Sequence, residues 1–112
     1  MAYYSEAEAK PLRLAVEKVV VAWPKVTTRA MFGCPAYLAD GKLFAFLVTG
    51  GVVITQVRLR DRETLAELFA AEPFKAGERE IARWVQVPLP ELDQLPRLLP
   101  FIRKSYDTVL MS

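Results

Sequence analysis

The chain has no histidine, no asparagine and a single cysteine, Cys34, among its 112 residues. Each absence removes a class of chemistry. Without histidine there is no Ser-His-Asp or Cys-His nucleophilic machinery, and none of the zinc or non-haem iron sites that need imidazole. One cysteine excludes an internal disulfide and any cysteine-rich zinc site. No apolar run approaches the ~20 residues a membrane span requires. The amino-terminal stretch MAYYSEAEAKP carries acids where a secretory leader would have a basic start and an apolar run, which predicts a cytoplasmic protein. A net charge of +2 is too small to argue for nucleic acid or an anionic membrane by itself. No glycine motif opens a helix in the manner of a phosphate-binding loop. No cofactor and no metal are expected.

What remains is a composition of 53% hydrophobic and 25% charged residues, that of an ordinary globular chain. At this length it makes one domain, residues 1–112, with a real core. Ser5 and Glu8 have the spacing of a capping box. Leu12, Ala15, Val16, Val19, Val20 and Trp23 then recur at helical spacing. Pro11 fits best as the first helical residue, so the regular helix is expected to start near Lys10 and to end at Pro24.

Residues 31–60 are the most apolar part of the chain and hold two turn signals, Asp40-Gly41 and Gly50-Gly51. Residues 27–32, 36–39, 42–49 and 52–60 read as strands of an antiparallel meander around them. If both turns have two-residue loops, Tyr37, Phe44, Phe46, Val48, Val53, Thr55, Val57 and Leu59 share one face. That face is expected to lie under the helices. Leu38, Leu43, Ala45, Leu47, Val52 and Ile54 share the other, with Gln56, Arg58 and Arg60 at its basic end. Lys42 to Leu47 superficially matches the aromatic strand of an RNA-recognition motif, but the face count sends Phe44 and Phe46 to the core.

Asp61 reads as the N-cap of a middle helix, with Leu65, Leu68 and Phe69 on its buried face and Pro73 at its end. Residues 74–80 read as a charged connector and residues 81–89 as a strand. A final helix carries Leu95, Leu98, Leu99, Ile102, Tyr106, Val109 and Leu110. Pro96 and Pro100 leave two options for it: a start at Pro96 with a bend at Pro100, or a short turn before a later start. The fold class is therefore α+β, a single antiparallel sheet of five to six strands with helices at both termini and one in the middle.

No carboxylate pair stands out as an acid/base couple, since Asp40 sits in a turn, Asp61 at a cap, and Glu6, Glu8, Glu63 and Glu67 on helix surfaces. Cys34 lies between Gly33 and Pro35 and reads as a small apolar residue packed beneath a turn. Arg58, Arg60 and Arg62 form the sharpest charge cluster. Arg58 and Arg60 would share a strand face, and Arg79 and Arg83 would extend it if the late strand lies nearby.

The segment RAMFGCPAYLADGKLFAFL resembles the start of TfoX N-terminal domains, with an arginine, a Met-Phe-Gly triplet, a small-residue hairpin with Asp-Gly and an apolar strand. Ala71-Glu72-Pro73-Phe74 is similar to that family's junction after its middle helix. Arg83 to Leu89 and Phe101 to Tyr106 look as much like the related YjbR/MmcQ family. The resemblance spans roughly residues 15–110. It implies an α-β-β-β-β-α-β-α type arrangement and, for TfoX, involvement in transcriptional regulation or competence through protein contacts. It transfers no catalytic residue. Full-length regulators of that kind carry a second, C-terminal domain, which this protein is expected to lack.

The leading expectation is a non-enzymatic interaction domain that forms a homodimer or binds a protein partner through Leu43, Leu47 and Ile54. The alternative is a YjbR-like nucleic-acid-binding module that uses Arg58, Arg60, Arg79 and Arg83, residues that would equally suit an acidic partner.

Overall fold

Two tight turns organise the front half of the chain. Asp40 and Gly41 have φ of 53° and 78°, and Phe32 and Gly33 have 53° and 77°. Positive φ at both central positions is the geometry that matches the right-handed twist of a hairpin. The computed structural model describes residues 3–112, Ala82 by its backbone alone. Helix α1 spans Glu6–Val20, followed by strands β1 (Val26–Met31), β2 (Cys34–Ala39), β3 (Lys42–Val48) and β4 (Gly51–Ile54). Helix α2 (Leu59–Phe69) leads to β5 (Glu72–Ala76) and β6 (Arg79–Pro88), and α3 (Leu95–Met111) closes the chain after a short 3-10 turn. All six strands form one antiparallel sheet in the order β1-β2-β3-β4-β6-β5.

The fold class expected from the sequence is the one observed, with one strand more than the α-β-β-β-β-α-β-α pattern. The segment read as a charged connector is β5 and the start of β6, joined at Gly77 (φ 67°). Its charges misled because Lys75, Glu78, Arg79 and Glu80 are all exposed, while only Phe74 of β5 turns inward. Helix α1 starts at Glu6 rather than near Lys10, with Pro11 inside it on the solvent side. Ser5 is its N-cap, yet the hydroxyl makes no capping bond. Instead the Ser5 amide donates to Thr49 Oγ1 at 2.9 Å, tying the helix start to the β3–β4 turn. Helix α3 takes the first of its two options: Pro96 sits in the first turn and Pro100 inside. In α2, Leu65 and Phe69 are buried but Leu68 is half exposed.

The expected face assignment inverts part-way along β3, and a bulge is the reason. Leu38 pairs with Leu43 and Tyr37 pairs with Ala45, so Phe44 is an extra residue. A one-residue slip sends every later side chain to the opposite face. Tyr37 and Phe44 lie under the helices as expected, but Ala45, Leu47, Val52 and Ile54 join them there. Phe46, Val48 and Val53 go to the other side. Ser105 of α3 holds the bulge: its hydroxyl donates to the Phe44 carbonyl at 2.7 Å and accepts the Gln56 amide at 3.1 Å.

The sheet consequently has a core on each face. Under the helices, Phe44, Trp23 and Tyr106 pack with ring centroids 5.1–6.2 Å apart. On the far face Phe46 meets Phe74 and Trp84, each at 5.4 Å. That second cluster is closed by the β5–β6 hairpin. Between Pro73↔Val85 and Lys75↔Glu80 the pairing jumps, and Arg83 adopts a φ of 72° within the irregularity. Such a bulge bends its strand, and Phe74, Ile81 and Trp84 close over Phe46 and Val53 together with Tyr3 and Tyr4.

Candidate functional site

The residues expected to meet a partner do not form a surface. Leu47 and Ile54 are both 0% exposed beneath the helices, and Leu43 is half-buried on the opposite side against the second cluster. The correction follows from the Phe44 bulge, which moves Leu43 to one face and Leu47 and Ile54 to the other. The second face is itself covered, so neither side of the sheet offers an open apolar patch at these positions.

The arginines separate into two groups. Strand β4 ends at Ile54, and Arg58 is the N-cap of α2, three residues before the cap expected at Asp61. The alternation that paired Arg58 with Arg60 therefore does not apply; in a helix, positions four apart share a face. Arg58 and Arg62 line one open cavity of about 440 Å³ with Arg83, Gln56, Val57, Leu59 and Thr108. Arg60, exposed on α2, and Arg79, at the far end of β6, lie outside it. Arg62, part of the charge cluster in the sequence but not among the expected binding residues, joins the cleft because α2 starts at Leu59, which sets it about one helical turn from Arg58.

None of the cleft arginines has an ionic partner among the described residues. The four ion pairs use Arg13, Arg103 and Lys104 as cations. Two neighbouring acids are already engaged, Asp61 by Lys104 and Asp107 by Arg103, both at 3.3 Å, while Glu63 and Glu72 line a separate cavity beside Arg62 without an ion pair to it. Arg62 Nε is shielded from solvent and makes no hydrogen bond.

A second feature is the free edge of the sheet at β1. From Thr27 to Ala30 every residue is exposed. The Asp40 amide donates to the Lys25 carbonyl. Alternation of bonded and non-bonded pairs then turns Thr27, Arg29 and Met31 toward β2, and the N–H and C=O of Thr28 and Ala30 outward. At the end of this edge stands Phe32, 72% exposed and in left-handed backbone, a conformation bulky residues seldom adopt. The opposite edge, β5, is interrupted by Pro73 and carries Lys75, devices that discourage strand pairing. Edge β1 has no proline and a single charge, Arg29.

The family model for the TfoX N-terminal domain matches residues 18–109. The chain belongs to that family. No curated protein matches it. The Met31-Phe32-Gly33 triplet that carried the resemblance is, in this TfoX N-terminal domain, the β1–β2 turn and its exposed aromatic tip. Among the described residues, no group of three His, Cys, Asp or Glu side chains is placed to hold a metal ion, and no helix is long and apolar enough to cross a membrane.

The thiol of Cys34 is buried, and burial pushes its pKa up, so the reactive thiolate is disfavoured. Its Sγ lies 3.8 Å from the Phe32 carbonyl, beneath the turn. The polar network on the helix side runs from Tyr4 through Glu6, Arg13 and Glu17 to Tyr37. Arg13 reaches Glu6 at 2.8 Å and Glu17 at 3.0 Å, and Tyr37 donates to Glu17 at 2.8 Å. Burial, then the bond to Glu17, raises the Tyr37 pKa.

Hydrogen bonds from Arg13, then from Tyr4, hold the Glu6 carboxyl at about 2, down from 4.5. A depressed carboxylate pKa contributes stability that is fully present above pH 4.5 and is lost as pH falls toward 2. Carboxyl NMR is therefore expected to show Glu6 titrating near 2, and Arg13→Gln to return it to the ordinary range. A Glu6 midpoint near 4.5 in the parent protein would contradict the Arg13–Glu6 contact.

Proposed function

We propose that this TfoX N-terminal domain is a non-enzymatic, cytoplasmic interaction domain that self-associates through β1, and that it serves transcriptional regulation or competence. The observation that carries the reading is the free edge ending in exposed Phe32. An unprotected strand edge is a template for another strand. The single charge on β1, Arg29, does not meet itself when two antiparallel copies pair with Thr28 opposite Thr28, the register that joins the outward-facing groups of both; Arg29 then opposes Thr27. In that register Val26 opposes Ala30, and Phe32 lies beside Pro24 of the second copy. A non-enzymatic role is supported by the absence of histidine and by the use of Glu6, Glu17, Asp61 and Asp107 in ion pairs.

The nucleic-acid reading through Arg58, Arg60, Arg79 and Arg83 has less geometry behind it, because only Arg58 and Arg83 share a cleft. Salt-dependent binding to DNA needs cations spread along a backbone track.

Light scattering should return a dimer for the parent protein. Thr28→Pro removes an outward-facing donor, which an edge strand tolerates, so that variant should be a folded monomer by circular dichroism. Thr27→Pro, which takes a donor facing β2, should instead destabilise the fold. A parent protein that stays monomeric at high concentration sinks self-association. A dimer that survives Thr28→Pro places the contact elsewhere.

A further inference from the structure

Independently of the β1 edge, we infer that the cleft formed by Arg58, Arg62 and Arg83 is a binding site for the phosphate monoester group of a small molecule. Guanidinium groups remain charged at any physiological pH and present planar forks that match phosphate oxygens. The cleft gathers three of them, while the adjacent carboxylates Asp61 and Asp107 are held by Lys104 and Arg103. No carboxylate lines the cavity itself, and among the described residues none forms an ion pair with its arginines. Like charges gathered without a counter-ion oppose folding, and a dianion would remove that cost.

The polar inventory has the same shape. Arg62 Nε is secluded from solvent yet unpartnered, an arrangement that leaves a buried donor unsatisfied. Helix α2 begins at the cleft with Arg58 as N-cap and no side-chain capping bond, so its first amides are open to an acceptor. Gln56 and Thr108 add neutral hydrogen-bonding groups at the rim, and Val57 and Leu59 supply apolar surface.

Size and layout select the ligand class. About 440 Å³ is the range of small-molecule pockets. Arg60 and Arg79 lie outside the cavity, so the positive charge is a point and not a stripe. A point suits one doubly charged phosphate, while a polymer of singly charged diesters needs a track.

The test is a titration of the full chain with inorganic phosphate and with a nucleoside 5′-monophosphate, followed by amide shifts of Leu59, Arg60 and Asp61 and by thermal melting. Saturable shifts and a melting temperature that rises with ligand are expected for both probes. Arg62→Gln and Arg83→Gln should each weaken binding roughly tenfold, while raising the melting temperature of the unliganded protein by relieving repulsion. Arg60→Gln and Arg79→Gln should leave the affinity unchanged. Thr108→Glu provides a second arm: its carboxylate would occupy the cleft, abolish phosphate binding and keep the chain folded. Absence of saturable shifts at millimolar ligand overturns the proposal. So does equal weakening by Arg60→Gln, which would signify general charge attraction, or preferential binding of duplex DNA that depends on Arg60 and Arg79.

Discussion

Replacing Gly51 by alanine is expected to destabilise the protein by about 3 kcal/mol or more, and replacing its neighbour Gly50 to change stability by less than about 0.5 kcal/mol. A Cβ on Gly51 would lie 2.1 Å from the Val87 carbonyl oxygen and 2.9 Å from its carbon. Both are backbone atoms of β6, so no rotamer change relieves the overlap, and the two strands must part. The place is a sensitive one. Gly51 pairs with Pro88 in the ladder that joins the β1–β4 meander to the β5–β6 hairpin. Gly50 has open space around its Cα, and its carbonyl, which accepts from the Leu89 amide, would be unchanged. Urea denaturation of the two variants checks the pair. Similar midpoints for Gly50→Ala and Gly51→Ala would show that β4 and β6 are not held this closely.

Truncating Phe46 to alanine should cost about 3–5 kcal/mol, the range for emptying a fully packed aromatic site. Phe46 is 1% exposed and sits edge-on to Phe74 and Trp84. Its loss would leave a void in the smaller of the two cores, where few neighbours can collapse into it. Equilibrium unfolding is the measurement. A cost below about 1 kcal/mol would mean that the second layer adds little to the fold, and that the helix-side core carries it alone.

Both residues show how far the sequence can be read. Asp40-Gly41 named its turn correctly because only a few residues tolerate two successive positive φ values, and that preference is local. Gly50-Gly51 looked like a second signal of the same kind. The loop is instead Thr49-Gly50, and Gly51 is a strand residue kept small by a neighbour 36 positions later in the chain (Val87). Nothing near it in sequence records that neighbour. The sheet and the three helices were legible from apolar periodicity, since burial of one face imposes it.

The bulge at Phe44 was not legible. Phe44, Ala45 and Phe46 keep an unbroken apolar run whether or not one of them is extra, so the pattern carries no mark of the slip. That single residue decided which apolar side chains were core and removed Leu47 and Ile54 from the candidate surface. For the arginines the error lay in an element boundary. Once α2 begins at Leu59 rather than after Asp61, the helical period groups Arg58 with Arg62. Arg83 joins them only through the packing of α2 against β6, which no local pattern encodes.

The two-sided sheet also places one tryptophan on each side: Trp23 with Phe44 and Tyr106, and Trp84 with Phe46 and Phe74. Each layer therefore contains its own fluorophore. Single-tryptophan versions of the protein would report separately on the loosening of the helices and the opening of the hairpin, so the order in which the two layers come apart can be followed by emission alone.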